Sequence, residues 1–237
     1  MNYNFGRKIP RDWAHVERYP FSRLGLDPAT HVEKVLDLSD EYWIYYDQSP
    51  HNSCCGYSAS IAMSILNRKL YNAMWLYHRA CDIDGDPATT PEADVGTYLV
   101  APFRVLEKRG HRPKNRILPY WYEGIYSYYW AQTVDEIRKA ILVNRPVVFG
   151  VNWYTNFMMP QVYNNELWIG RGEYGYAMGG HAICCYGASD KREAFRLCNS
   201  WGKDYPLVWI GYEAVGRLLG EHSEVCVPLD IKSRKKR

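Results

Sequence analysis

Two separated strings constrain this chain more than any bulk property. The first is Asp47-Gln48-Ser49-Pro50-His51-Asn52-Ser53-Cys54-Cys55-Gly56; the second is Gly179-Gly180-His181-Ala182, closed by Asn199-Ser200-Trp201-Gly202. Together they hold two thiols, two imidazoles and three side-chain amides. A fold that uses them must bring the start of one element against strands more than a hundred residues downstream, since Cys54 precedes His181 by 127 positions and Asn199 by 145.

The texture on either side of the strings differs. From Ser53 onward Ala59, Ala62, Ile65 and Leu66 recur at three- and four-residue steps, which predicts a helix with Ser53 as N-cap. Further helices are expected over Leu70–Cys81, over Val95–Lys108 stopped by Gly110, and over Thr133–Asn144, where Thr133 and Glu136 have capping-box spacing. Short strands are expected at 32–38 and, after Pro146, at 147–151, 181–186, 194–198, 208–212 and 225–229. Helices first and strands later argue an α+β fold of two subdomains with a cleft between them. The aromatic run from Tyr120 to Trp130 reads as a packed loop or a cleft wall.

The chemistry follows from placement. A thiol at a helix N-terminus faces unpaired N–H groups and the positive end of the helix dipole, which favour the thiolate. Cys55 lies one residue further on and points about 100° away. Gln48 could donate its amide, beside the backbone N–H of Cys54, to a developing oxyanion. His181 opens a strand after two glycines that allow another chain to approach. The amide oxygen of Asn199 can fix the ring's tautomer, and Trp201 can cover that bond.

These strings resemble those of the papain-like (C1 family) cysteine peptidases, nearer to their compact bacterial and phage relatives than to the lysosomal type. The relatives' Asp-Gln-Gly-x-x-Gly-Ser-Cys is matched by Asp47 to Cys54, with Ser49 and Asn52 in place of both glycines. The likeness covers about residues 32–230. It implies a papain-like fold with a helical half over about 32–144, an antiparallel β-barrel-like half over about 145–230, and an active-site cleft between them. It implies Cys54 as nucleophile, His181 as general acid/base, Asn199 as orienting residue and Gln48 as oxyanion donor, with Gly179, Gly180 and Trp201 lining the substrate site. No cofactor and no metal are expected. The glycine-rich substrate strip of the lysosomal type is not evident. The expected reaction is hydrolysis of peptide or isopeptide bonds. Acyl transfer to an amine, or a papain-fold structural protein such as a phage particle component, are the alternatives.

Outside 32–230 the chain carries a polar arm, residues 1–31, and a basic tail, residues 231–237. The arm could lie across the cleft or meet an assembly partner. The tail holds five positive side chains, so the rest of the chain is near −2 against a total of +3. Nucleic acid is therefore an unlikely partner except through the tail, which otherwise reads as a solvated terminus. A peptide or protein substrate is the expected partner. No run of 18 apolar residues predicts a membrane span. Seven cysteines, an odd number with two adjacent pairs, suit a reducing cytoplasm, or a virion if the chain is phage-encoded. Cys184, Cys185 and Cys198 read as small core residues, and the acidic loop 82–86 lacks the glutamate a calcium loop needs at its twelfth position.

Overall fold

The computed structural model describes residues 4–25, 31–36, 45–86, 89–114 and 121–235. The chain opens with strand β1 (Arg7–Lys8), helix α1 (Ala14–Arg18) and strand β2 (Glu33–Val35). Helices α2 (Cys54–Asn67) and α3 (Ala73–Cys81) follow, then the short strand β3 (Thr97–Tyr98) and helix α4 (Val100–Lys108). Strand β4 (Trp121–Trp130) and helix α5 (Val134–Leu142) lead into β5 (Val147–Tyr154), β6 (Gln161–Tyr163), β7 (Glu166–Ile169), β8 (Ala177–Ser189) and β9 (Ala194–Cys198). Strand β10 (Val208–Gly211), helix α6 (Tyr212–Leu219) and strand β11 (Glu224–Lys235) complete the order.

The large sheet runs β4-β11-β5-β8-β9-β10-β7-β6, with β2 added to β8. Its pairings are antiparallel except β7 with β10. The fold is α+β as expected, but the sheet is open, so the barrel-like description is corrected: β4 and β6 end it without meeting. β5 is a continuous apolar run, Val147 to Val151, because both its faces are covered. Helix α2 lies across β8, where Ser58 donates to the carbonyl of Ala182 at 2.8 Å. Ser60 and Ser64 return their hydroxyls to carbonyls one turn back, at 2.7 and 2.9 Å, so this helix is buried without orphaned hydroxyls there. A Cβ on Gly56 would stand 2.8 Å from the Cβ of Tyr77, which is why α2 and α3 can approach so closely.

Several local signals act as read. Asn72 caps α3 by accepting from Trp75 N, and Thr133 caps α5 by accepting from Glu136 N. The Glu136 carboxylate accepts from the N–H of Gln132, one residue before the cap. Ser53 occupies the N-cap of α2, but its side chain makes no capping bond. Strand β2 falls within the expected 32–38, whose last two residues lie outside the described ones, as do 42–44.

Three expectations are corrected. The aromatic run Trp121–Trp130 is a strand, not a loop, because β11 supplies it a partner over its whole length. The same pairing carries the backbone of the basic tail through Lys235 into the sheet, where a solvated terminus was expected. Tyr212, read as the end of a strand, begins helix α6, whose Ala214, Val215 and Leu218 face the core.

One buried group gives this fold a pH dependence. His111 stacks on Tyr71 with ring centroids 4.6 Å apart, and its Nε2 bonds the Ser60 hydroxyl at 2.7 Å. Burial lowers its pKa from 6.5 to about 3. The unfolded chain therefore takes up a proton near pH 6.5 that the native state refuses until about pH 3. Stability falls as pH drops through that window, by up to ~1.4 kcal/mol per pH unit. Urea midpoints should drop between pH 7 and pH 4.5, and His111→Gln should flatten that slope; an unchanged slope in the variant would refute the assignment.

Candidate active site

Helix α2 delivers the thiol. Cys54 is its first residue and is fully buried. Burial on its own would raise the thiol pKa. The Cys55 thiol, His181 and the backbone of Ala182 outweigh it and hold Cys54 well below the usual thiol range. Cys55 behaves oppositely: burial and the neighbouring Cys54 push it well up, and its Sγ donates to the Thr97 carbonyl at 3.3 Å. The two adjacent thiols thus differ: Cys54 gives up its proton more readily, and Cys55 keeps its own on the Thr97 carbonyl.

Strands β8 and β9 deliver the partners. Nε2 of His181 is 2.8 Å from Oδ1 of Asn199, which also accepts from the Ser200 N–H at 2.8 Å. Nε2 therefore carries the proton, because Asn199 Oδ1 can only accept. Nδ1 has no hydrogen-bond partner among the described residues, yet His181 still lowers the proton affinity of Cys54. Aromatic rings enclose the imidazole: Trp201 lies over it at 4.6 Å between centroids and Trp153 meets it edge-on at 4.9 Å. They keep water from the His181–Asn199 bond.

Gln48 is pinned to the same wall. Its backbone N–H donates to the Ser200 carbonyl at 2.9 Å, and its Oε1 accepts from the Ser200 hydroxyl at 2.6 Å. With the amide oxygen occupied, Nε2 points its hydrogens the other way, to the carbonyls of His51 at 2.9 Å and Asn4 at 3.2 Å. All four expected catalytic side chains, Gln48, Cys54, His181 and Asn199, converge on one buried place.

The Asn4 carbonyl belongs to the N-terminal arm, which fills the cleft. Phe5 packs edge-on to His181 and Trp201, at 5.9 and 6.0 Å. The Gly6 carbonyl accepts from Thr97 N at 2.8 Å, and Arg7–Lys8 pair in parallel with Thr97–Tyr98. Lys8 reaches the Asp86 carboxylate at 2.9 Å, so the acidic loop serves as an anchor for the arm. Gly179 and Gly180 lie beneath: a Cβ on Gly180 would be 2.2 Å from the Arg7 carbonyl and one on Gly179 3.1 Å from the Phe5 Cβ. The sequence reading did not find Thr97, Arg7 or Glu224 as parts of this region; β3 is only two residues long and has no pattern to betray it.

Cys184, Cys185 and Cys198 are buried in the core with thiol pKa values raised by burial. Among the described residues, no group of three or more His, Cys, Asp or Glu is gathered to hold a metal. Among them, too, no helix is long and apolar enough to cross a membrane.

No family model matches the chain. An uncharacterized peptidase C1-like protein of Acanthamoeba polyphaga mimivirus is 31% identical over 74 residues, 31% of this chain. That match spans about a quarter, 24%, of the viral protein's length. Among solved structures, xylellain, a cysteine protease from Xylella fastidiosa, superposes with a TM-score of 0.67 at 18% identity over 97% of both chains. A digestive procathepsin L2 proteinase from Tenebrio molitor gives 0.60 at 16% identity, covering 96% of this chain and 78% of that one. Procathepsin B of Trypanosoma congolense gives 0.61 at 14%, covering 96% and 87%. At these identities the likeness is one of fold: the chain has the papain-like architecture.

Proposed function

We propose that the chain is a papain-like cysteine peptidase, with residues 32–230 as the peptidase domain and the arm segment around residues 4–8 as a cover held in its cleft. The observation that carries the reading is the His181 ring, held by Asn199 at 2.8 Å with its other nitrogen left without a partner. The Cys54 thiol pKa is held well down by its neighbours, His181 among them. A carbonyl oxygen already accepts from Gln48 beside it.

In this reading the Cys54 thiolate attacks the substrate carbonyl carbon. The oxyanion forms where the Asn4 carbonyl now sits, accepting from Gln48 Nε2 and the Cys54 N–H. His181, protonated at both nitrogens, gives the Nδ1 proton to the departing amine as the tetrahedral species collapses to a thioester. The ring, neutral and still bonded to Asn199, then takes a proton from water, which hydrolyses the thioester. An amine entering instead of water would give acyl transfer by the same groups.

A cleft filled by the arm is also what a structural protein of this fold would show. The buried His181 Nδ1, left without a hydrogen-bond partner, favours the enzyme, since a scaffold has no need of an unsatisfied imidazole nitrogen. The seven free, buried thiols suit a reducing compartment. An epoxide-type thiol inhibitor followed by peptide mapping tests the reading. Modification should fall on Cys54 and speed up as pH rises through the acid range; modification of Cys55 with Cys54 untouched overturns the assignment.

A further inference from the structure

The arm places one charged side chain in a pocket of the cleft, and that pocket is built for it. Arg7 follows Gly6 along the cleft, its carbonyl over Gly180 and its backbone paired with Thr97. Its side chain turns down across Gly150 of β5, where a Cβ would be 2.8 Å from the Arg7 Nε and 3.0 Å from a Leu99 methyl. At the bottom lies Glu224, the first residue of β11. Arg7 Nη2 and Nε donate to its Oε2 at 3.1 and 3.3 Å, and Nη2 also donates to the His222 carbonyl at 2.8 Å. The other oxygen, Oε1, meets His15 Nε2 at 2.7 Å. Both side chains of the Arg7–Glu224 pair are fully buried.

Each oxygen of Glu224 is therefore satisfied by an arm residue. When Arg7 leaves, Glu224 Oε2 loses both of its donors at the base of the pocket, one strand away from His181: Gly150 pairs with both Glu224 and Ala182. A buried carboxylate oxygen without its donors disfavours a neutral side chain and rewards a cation of arginine's length and shape.

We propose that Glu224 is the specificity-determining residue of the cleft, and that the substrate is a polypeptide that places an arginine side chain in the pocket Arg7 now fills. This rests on the peptidase reading for its catalytic consequence but not for the binding itself. The arm runs parallel to β3, and the pocket recognises the side chain whichever way the backbone passes.

The test uses the full chain in two forms. Arg7→Ala vacates the pocket, and its thermal unfolding is followed with N-acetyl-argininamide or the uncharged, similarly shaped N-acetyl-citrullinamide. The arginine derivative should raise the melting temperature and the citrulline derivative should not. Adding Glu224→Gln should abolish the difference. Should Arg7→Ala fail to fold, Gly6→Val, which cannot seat the arm, serves with peptide pairs differing only in arginine against citrulline. The arginine peptide should be cleaved with kcat/KM higher by about 30-fold or more, the least usually lost when one partner of a buried charge pair is removed, and the ratio should collapse with Glu224→Gln. Equal responses to arginine and citrulline in the form that folds overturn the assignment, while hydrolysis of both peptides would leave the peptidase reading standing. Charge-selective binding without any hydrolysis would do the reverse.

Discussion

Replacing Cys54 with alanine should lower peptide hydrolysis by at least ~10⁴-fold in a background where the arm is displaced, because nothing else in the site can form the acyl intermediate. Cys55→Ala should behave differently. Cys55 lies beside a sulfur whose proton affinity it helps to lower, and its own thiol is pushed well above the usual range. Removing it takes away a neighbour that lowers the Cys54 pKa, so that pKa rises and the acid limb of the pH–rate profile moves to higher pH. Most activity should survive at neutral pH and above. The measurement is kcat/KM against pH for both variants. Equal, complete loss in both would mean that the adjacent pair acts as a unit, and an active Cys54→Ala enzyme would remove the nucleophile from the proposal. The sign is fixed by the thiolate: a lowered pKa keeps it present at more acid pH, and any change that raises the pKa loses rate from the acid side first.

The catalytic set is legible in the sequence because each of its members sits in a short string with a local physical signature. Cys54 opens a periodic helix, His181 follows a glycine pair, and Asn199 ends a strand whose bounds, Ala194–Cys198, are those read from the sequence. What is not legible depends on partners far along the chain. Trp121–Trp130 contains Gly124 and four residues of Tyr or Trp after it with little polar alternation, so nothing local marks a strand; β11 makes it one by pairing with it. The arm is the extreme case. Arg7 and Glu224 are 217 residues apart, and neither stands in a motif. A buried ion pair leaves no periodicity, only an acid in an otherwise apolar strand start. Helix α6 was hidden by its shortness and by Gly216, both of which weaken a helical pattern.

Gly6→Val should open the enzyme. Gly6 is the narrowest point of the arm's path: a Cβ there would lie 1.7 Å from the Asn52 carbonyl oxygen and 2.2 Å from its carbon, so no side chain fits unless the arm leaves. The obstruction is backbone, just ahead of Ser53 and the start of α2, and cannot rotate aside. Losing Gly6 from its place also breaks its bond to Thr97 N and lifts Phe5 from His181 and Asn4 from Gln48, which uncovers the oxyanion position. If the arm closes the wild-type cleft all but about 1% of the time, displacing it should raise kcat/KM by roughly 10²-fold, the inverse of the open fraction. The same substitution should lower the melting temperature by a few degrees, since the contacts of Arg7 and Lys8 go with the arm. It should also make the segment before Trp13 open to added protease. A folded Gly6→Val protein with wild-type rates towards both peptide and epoxide would show that the arm is no barrier, and the cleft would then have to admit substrate by a route that leaves Asn4 in place.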